Sequence, residues 1–369
     1  MARVHDDEAV DFDLLGLVGI RVIAHDARDP QVIERQFGPF RRPLDRQPDI
    51  TVRFVKRLEL SGPLRYIGLR DAAFTEDGFI VIKPLGRRES RALIAFDRIG
   101  KGCEIICESG ASGVPLLVAI VNHTALAKGV VPLHGSAFTY RDSTFLVCGW
   151  GKGGKTETLL AFMAHGAEYV GDDWVYIDPA TGRVSGLLAP IKIWDWHVAH
   201  AAQLARALSA RERTRMTAFR IAQRLTRVGP ARLMGAAARH LERQRYAYVN
   251  PDRLFSTDAG RLSATVDRVV LVISRDVADT RLEEIAAEEI VDRMVFSNAF
   301  ERLDLLAYYL KYRFAFPMNR VPLVEDATEL ERSLLTKAFG GRTGHVLYHP
   351  FPAPIPALFD ALSGLADAR

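Results

Sequence analysis

The stretch Gly149-Trp150-Gly151-Lys152-Gly153-Gly154-Lys155-Thr156 constrains this chain more than any other. It follows a short apolar run, Thr144–Cys148, that reads as a strand. It opens a run from Lys155 to His165 in which Leu159, Leu160, Phe162 and Met163 gather on one helical face. Strand, glycine-rich turn and helix, with the spacing GxxxxGK[ST], make a phosphate-binding loop. Glycines let the backbone curl until successive N–H groups point inward at phosphate oxygens, and the helix start adds its positive end. Gly149, Gly151, Lys152, Gly153 and Gly154 supply the cradle, Lys155 reaches the β- and γ-phosphates, and Thr156 offers a hydroxyl to Mg²⁺. ATP and Mg²⁺ are the expected cofactors.

Acidic residues follow at a telling distance. Asp172 and Asp173 stand 17 and 18 residues beyond Lys155, behind Tyr169-Val170-Gly171. Hard cations take carboxylate oxygens, so acids at a neighbouring strand end suit a nucleotide–metal site. Tyr169–Ile177 reads as one strand, and a regular strand aims only one of two adjacent residues at a given face. A strand end or bulge could aim both. Upstream, His134 lies in the strand Pro132–Tyr140, and Glu157 follows Thr156 in the first helical turn, where the helix dipole favours an acid.

Together these features resemble the HPr kinase/phosphorylase family, which shares a P-loop fold with phosphoenolpyruvate carboxykinase. The likeness covers about residues 132–178: Leu133-His134-Gly135, the loop ending Gly154-Lys155-Thr156-Glu157, and Asp172-Asp173. It implies transfer of the γ-phosphoryl group of ATP to an acceptor hydroxyl. Asp172 would be the general base, His134 would tune its charge, and Thr156, Asp173 and Glu157 would serve the metal, with Lys155 and the loop on the phosphates. The family also implies a homo-oligomer. The loop departs from its pattern at Trp150 and Lys152, and Pro190–His197 stands where those kinases carry an Arg- and Gly-rich signature. The HPr acceptor is therefore not carried over. A protein or peptide serine, a small metabolite and a lipid all remain open.

The rest of the chain sets a frame for that site. At 369 residues, 48% hydrophobic and 25% charged, it has the material of two ordinary globular domains. Residues 1–112 read as a β-rich α+β domain, with strands at Leu17–His25, Ile50–Val55, Phe79–Lys83, Ala92–Phe96 and Cys103–Glu108. Residues 113–369 read as an α/β P-loop kinase-like domain, with a helix at Val114–Lys128 and a buried strand at Arg268–Ser274. Helices are expected at 281–297, 300–312, 327–338 and 356–366, and a strand at 345–349. Cys103, Cys107 and Cys148 read as small buried groups, too few for a disulfide framework. The acidic N-terminus lacks the pattern of a secretion signal, and the longest apolar run, Val114–Val121, is too short to cross a bilayer. A cytoplasmic location is expected.

Charge is uneven. Residues 199–247 read as helical with a break at Gly229-Pro230, and from Arg206 to Arg245 eleven arginines face only Glu212 and Glu242. This local +9, in a chain of net +4, suits an anionic membrane surface, placing the protein peripherally at the inner face, or an acidic partner; it equally suits a solvated helix. Trp194, Trp196 and His197 alternate as in a strand, so the two tryptophans could share a face and stack on adenine or close the acceptor pocket. Two other classes compete with a kinase. A P-loop ATPase would use hydrolysis as a switch, but the chain has no NKxD or LSGGQ signature. A non-catalytic module would be a degenerate nucleotide fold whose arginine stretch grips nucleic acid; the intact Lys155, Thr156 and Asp172 argue against degeneration, and nucleic acid is not the expected partner.

Overall fold

A computed structural model describes residues 9–85, 88–199, 202–226, 245–255 and 262–367. In chain order the strands of the N-terminal part are β1 (Ala9–Leu14), β2 (Val18–Ile23), β3 (Ile50–Val55), β4 (Arg65–Ile67), β5 (Ala72–Thr75), β6 (Gly78–Leu85), β7 (Arg88–Ile94) and β8 (Cys103–Glu108). There follow β9 (Val131–Tyr140), β10 (Ser143–Gly149), β11 (Glu168–Gly171), β12 (Trp174–Asp178), β13 (Arg183–Gly186), β14 (Ile191–Trp194) and β15 (Tyr246–Val249). The last are β16 (Ser263–Thr265), β17 (Arg268–Arg275), β18 (Arg281–Ala286) and β19 (Thr343–Pro350). The helices are α1 (Pro30–Phe37), α2 (Leu117–Ala127), α3 (Lys155–Met163), α4 (Ala202–Ala207) and α5 (Ala210–Thr226). They continue as α6 (Ala287–Glu301), α7 (Leu303–Ala315), α8 (Pro322–Glu325), α9 (Ala327–Phe339) and α10 (Ile355–Leu362). With 35% helix and 33% strand the class is α/β. Among the described residues no helix is long and apolar enough to cross a membrane.

The chain forms two compact units and passes between them several times. The first comprises 1–134, 176–183 and 291–341; the second comprises 135–175, 184–290 and 342–369. The boundary expected near 112 falls inside the first unit, because later helices return to the N-terminal sheet. That sheet runs β1-β2-β3-β8-β7-β6-β5-β4. Its centre follows from alternation: Ile50, Val52 and Phe54 of β3 are buried and register with Cys103, Ile105 and Cys107 of β8. Cys103 and Cys107 are packing groups, their thiols pushed up to about 12 by burial. Helix α7 docks aromatics on this sheet. Tyr312 stacks on Phe96 at 5.2 Å between centroids, and Phe96 meets Phe79 edge-on at 5.4 Å.

In the second unit β9 and β10 form an antiparallel hairpin, and β10 continues into the parallel series β10-β17-β19, with β18 antiparallel at the end. The apolar run of β17 is buried from Val269 to Val272, as a strand covered on both faces requires. Helices α3 and α10 pack together, Phe162 meeting Phe359 at 5.1 Å and Phe138 at 4.6 Å.

Three expectations are corrected. Residues 281–286, expected to begin a helix, form β18: pairing with β19 overrides the helix propensity of Glu283 and Glu284, and the helix starts at Ala287. The single strand expected over Tyr169–Ile177 is two, β11 and β12, because the chain turns at Asp172-Asp173 with Asp173 at φ +70°. The alternation expected through Trp196 stops at Trp194, where β14 ends. The expected break at Gly229-Pro230 lies outside the described residues.

Candidate functional site

The glycine-rich loop leaves the end of β10 and enters α3 directly. Gly149 has φ +154°, and a Cβ there would stand 2.7 Å from Val272 O on the paired strand β17. Gly154 has φ +109°, and a Cβ there would stand 2.5 Å from His349 Nε2. Both positions therefore require glycine on two counts, backbone conformation and space. Gly153 N–H donates to Trp150 O at 3.0 Å, closing the turn, and a Cβ on Gly153 would stand 2.9 Å from that oxygen. Lys152 takes φ +64°, while Trp150 is half exposed. His349 Nε2 also lies 2.8 Å from Gly153 O, so β19 buttresses the loop from behind.

Lys155 is buried and donates from Nζ to Gly149 O at 3.1 Å and Trp150 O at 2.9 Å. It thus lies across its own loop. Thr156 Oγ1 donates towards the Asp172 carboxylate, 3.1 Å from Oδ2 and 3.3 Å from Oδ1. Ser136 Oγ donates to Asp172 Oδ1 from β9. Asp172 is buried, and burial pushes its carboxyl up to about 6; the neighbouring Asp173 charge adds to the rise, while the Ser136 and Thr156 hydroxyls and the Lys155 ammonium oppose it.

The turn that presents Asp172 is set by sequence. Strand β11 bulges against β9 between Tyr169 and Gly171, and a Cβ on Gly171 would stand 2.7 Å from Gly186 Cα. Gly135 N–H then donates to Asp173 O at 3.2 Å, tying the turn to β9. Asp172 points inward and Asp173 is exposed, so the pair is split between a buried and a solvent-facing carboxylate.

Glu157 lies one residue beyond Thr156 and is mostly enclosed, its side chain 13% exposed, yet its carboxyl stays below the usual range. Burial pushes it up, but the hydrogen bond from His197, with a smaller contribution from Lys155, outweighs that. His197 Nε2 is 3.1 Å from Glu157 Oε1, and His197 Nδ1 accepts from the Trp194 backbone N–H at 3.2 Å. An accepting Nδ1 leaves the proton on Nε2, so the ring donates to Glu157.

Thr156, Glu157, Lys155, the loop glycines and Asp172 thus meet in the second unit. His134 belongs to the first, where its Nδ1 lies 3.0 Å from Glu301 Oε1 and its backbone N–H donates to Asn298 Oδ1 at 3.2 Å. Among the described residues no group of three or more His, Cys, Asp or Glu side chains could hold a metal by itself. Magnesium in phosphate sites needs few protein ligands because substrate oxygens complete its shell, and a threonine hydroxyl beside a carboxylate fits that role.

Sequence reasoning missed Ser136 and His349, and it singled out His197 without its link to Glu157. Each acts through contacts that no local motif announces. Trp194 is placed differently from the expectation: Lys192 and Trp194 on β14 register with Tyr248 and Tyr246 on β15, and Lys192 Nζ sits 3.8 Å above the Tyr246 ring and 4.5 Å above Trp194. Trp196 instead meets the His197 ring edge-on at 4.0 Å. Of the arginine-rich stretch, Arg245 pairs with buried Asp195 (Nη2 to Oδ1 2.9 Å, Nε to Oδ2 3.1 Å) and Arg215 donates to Tyr246 O at 2.9 Å. Arg206, Arg211 and Arg213 are exposed. Arg227, Arg232, Arg239 and Arg243 lie outside the described residues.

No protein-family model matches this chain, and no curated protein matches it at a significant level of sequence similarity.

Proposed function

We propose that the chain is an ATP- and Mg²⁺-dependent kinase that transfers the γ-phosphoryl group of ATP to an acceptor hydroxyl. The observation that carries this reading is the Asp172 carboxyl, buried with a raised pKa at the mouth of a loop where only glycine fits at two positions. A carboxylate tuned towards neutrality is a stronger base than an exposed one and still ionised at pH 7. Asp172 takes the proton of the acceptor hydroxyl as its oxygen bonds to the γ-phosphorus. The bond from that phosphorus to the β,γ-bridging oxygen breaks, and ADP leaves with the electron pair.

Phosphoryl transfer asks for positioning and charge neutralisation more than for covalent chemistry. The loop N–H groups and Lys155 supply these, Lys155 exchanging its bonds to Gly149 O and Trp150 O for phosphate oxygens. By the resemblance, Thr156, Asp173 and Glu157 would serve Mg²⁺, Glu157 being fixed by His197 next to Thr156 in the chain; the ion would neutralise charge on the phosphates. The resemblance to HPr kinases supports the same assignment over residues 132–178.

One observation favours a second reading, a P-loop ATPase. Thr156 Oγ1 lies against Asp172 itself, an arrangement that also suits a carboxylate in the metal's shell with water as the attacking group. Incubation of the purified chain with Mg²⁺ and γ-labelled ATP in cell extract separates the two. Label in a protein, lipid or small-molecule fraction, lost in Lys155→Ala and Asp172→Asn, supports the kinase. Free phosphate as the sole labelled product supports the ATPase, and no turnover removes both.

A further inference from the structure

The helices α6 and α7 carry a surface that the site does not use. Arg302 between them keeps the helical bonding: its N–H donates to Asn298 O at 3.1 Å and its carbonyl accepts from Leu306 N–H at 2.9 Å. The two therefore follow one another closely with Arg302 (φ −85°, ψ −5°) as the turn between them, about 27 Å of helix rise from Phe296 to Phe314 at 1.5 Å per residue. Along it Phe296, Phe300, Leu303, Leu306, Leu310 and Phe314 are exposed, Phe296 by 62% and Phe314 by 74%. Asp304 is the one charged residue among the exposed positions of that span. The flanking charges are committed inward: Glu301 to His134, Arg302 to Glu331, Lys311 to Asp71 and Arg313 to Glu325.

The steps of three and four residues make a continuous seam of the kind that pairs with another helix. Fully covered, six such side chains remove on the order of 600 Å² per copy, at the top of the range for the largest patch on a typical monomer. Two copies together reach about 1,200 Å², the lower bound for a specific, stable interface. The order of side chains is close to its own reverse about Leu305. Phe296 matches Phe314 and Phe300 matches Leu310, while Leu303 and Leu306 lie on either side of Leu305, one residue off exact symmetry. A surface of that kind is self-complementary under a two-fold axis.

We infer that this seam pairs with the same seam of a second copy of the chain, antiparallel, about a two-fold axis near Leu305. The inference is independent of the kinase reading. Asp304 of each copy then lies beside the axis, so two like charges oppose association.

Sedimentation velocity on the full chain tests it, over about 0.5–100 µM, the range in which interfaces of this size associate. A dimer is expected. Leu310→Glu and Phe300→Glu should each weaken it at least about tenfold with an unchanged circular dichroism spectrum, and Asp304→Asn should tighten it. Orientation is read by cross-linking: Phe300→Cys and Leu310→Cys proteins should form a disulfide when mixed, and neither should do so readily alone. The native cysteines are buried and do not compete. A monomer throughout, a dimer indifferent to Leu310→Glu, or ready cross-linking of Phe300→Cys with itself would overturn the inference. A monomer that floats with phosphatidylcholine/phosphatidylglycerol vesicles, where Leu310→Glu does not, would overturn it and assign the seam to a lipid surface.

Discussion

His197 Nε2 donates to Glu157 Oε1 at 3.1 Å, joining the end of β14 to the first turn of α3. His197 is buried and Glu157 mostly enclosed, and the bond keeps Glu157 ionised against its own desolvation. In His197→Ala only the Lys155 charge and a backbone hydrogen bond still oppose that desolvation. The variant should lose about 2 kcal/mol at pH 7, the cost of a buried charge without its donor. The sign with pH follows. The depressed carboxyl contributes stability above its unfolded value and loses it as pH falls through the folded one, so the difference between variant and wild type should shrink below about pH 4. His197→Gln, which keeps a donor, should recover part of the loss. Thermal melts across pH check this, and equal melting of wild type and His197→Ala at pH 7 would sink it.

Asp172 carries the opposite sign. Its carboxyl is raised to about 6, so the folded state holds a proton that the unfolded chain has released, and the group costs stability as pH rises from about 4 to 6. Asp172→Asn should therefore be more stable than wild type at pH 7, by about 1–3 kcal/mol, with the gain vanishing below about pH 4. Activity should move the other way. If Asp172 is the base, kcat/KM falls about tenfold per unit below pH 6, and the Asn variant loses at least about a hundredfold. A variant both inactive and less stable at pH 7 would remove the raised carboxyl from the argument.

Local chemistry made much of this legible before the structure. Alternation in Ile50–Val55 and Cys103–Glu108 gives β3 and β8 to the residue, and the apolar run at Arg268 gives β17 within one residue. The loop announced itself because its conformation demands glycine wherever it occurs. What stayed hidden depends on distant partners. Arg281–Ala286 is a strand only because β19 is beside it, and Tyr169–Ile177 breaks because Gly171 is pressed on Gly186. Ser136, His197 and His349 are ordinary residues in ordinary strands and turns until the fold brings them to Asp172, Glu157 and Gly154. The return of residues 291–341 to the N-terminal sheet rests on Tyr309, Tyr312 and Phe316, whose aromatic partners lie more than two hundred positions upstream.

The loop itself makes a steric prediction. Gly154→Ala forces a Cβ against the His349 ring at a φ that alanine rarely adopts. It should cost about 2 kcal/mol or more and weaken ATP binding at least about tenfold. Combining it with His349→Ala removes the clash but not the strain, so stability should recover in part. Isothermal titration with ATP and melting of the single and double variants read both effects. Full recovery would mean that the backbone at Gly154 is not strained.

Among its described residues the arginine-rich stretch holds two kinds of arginine, and the difference can be measured. Arg245 is bidentate to Asp195, whose side chain is almost wholly buried, and Asp195 N–H also donates to Arg245 O at 2.9 Å. Removing one partner leaves a buried charge, so Arg245→Ala should cost about 3 kcal/mol. Arg206, Arg211 and Arg213 are exposed, and replacing all three by serine should change stability by no more than about 0.5 kcal/mol. If the stretch binds an anionic surface, these three contribute to it among the described residues. Each basic group near such a surface contributes about 1 kcal/mol, and salt screens it, so the triple variant should lose vesicle binding that wild type shows at low ionic strength. Flotation with anionic vesicles, set beside melting curves, separates the roles. Binding unchanged in the triple variant would leave these arginines as a solvated helical face, and a stable Arg245→Ala would make its ion pair incidental.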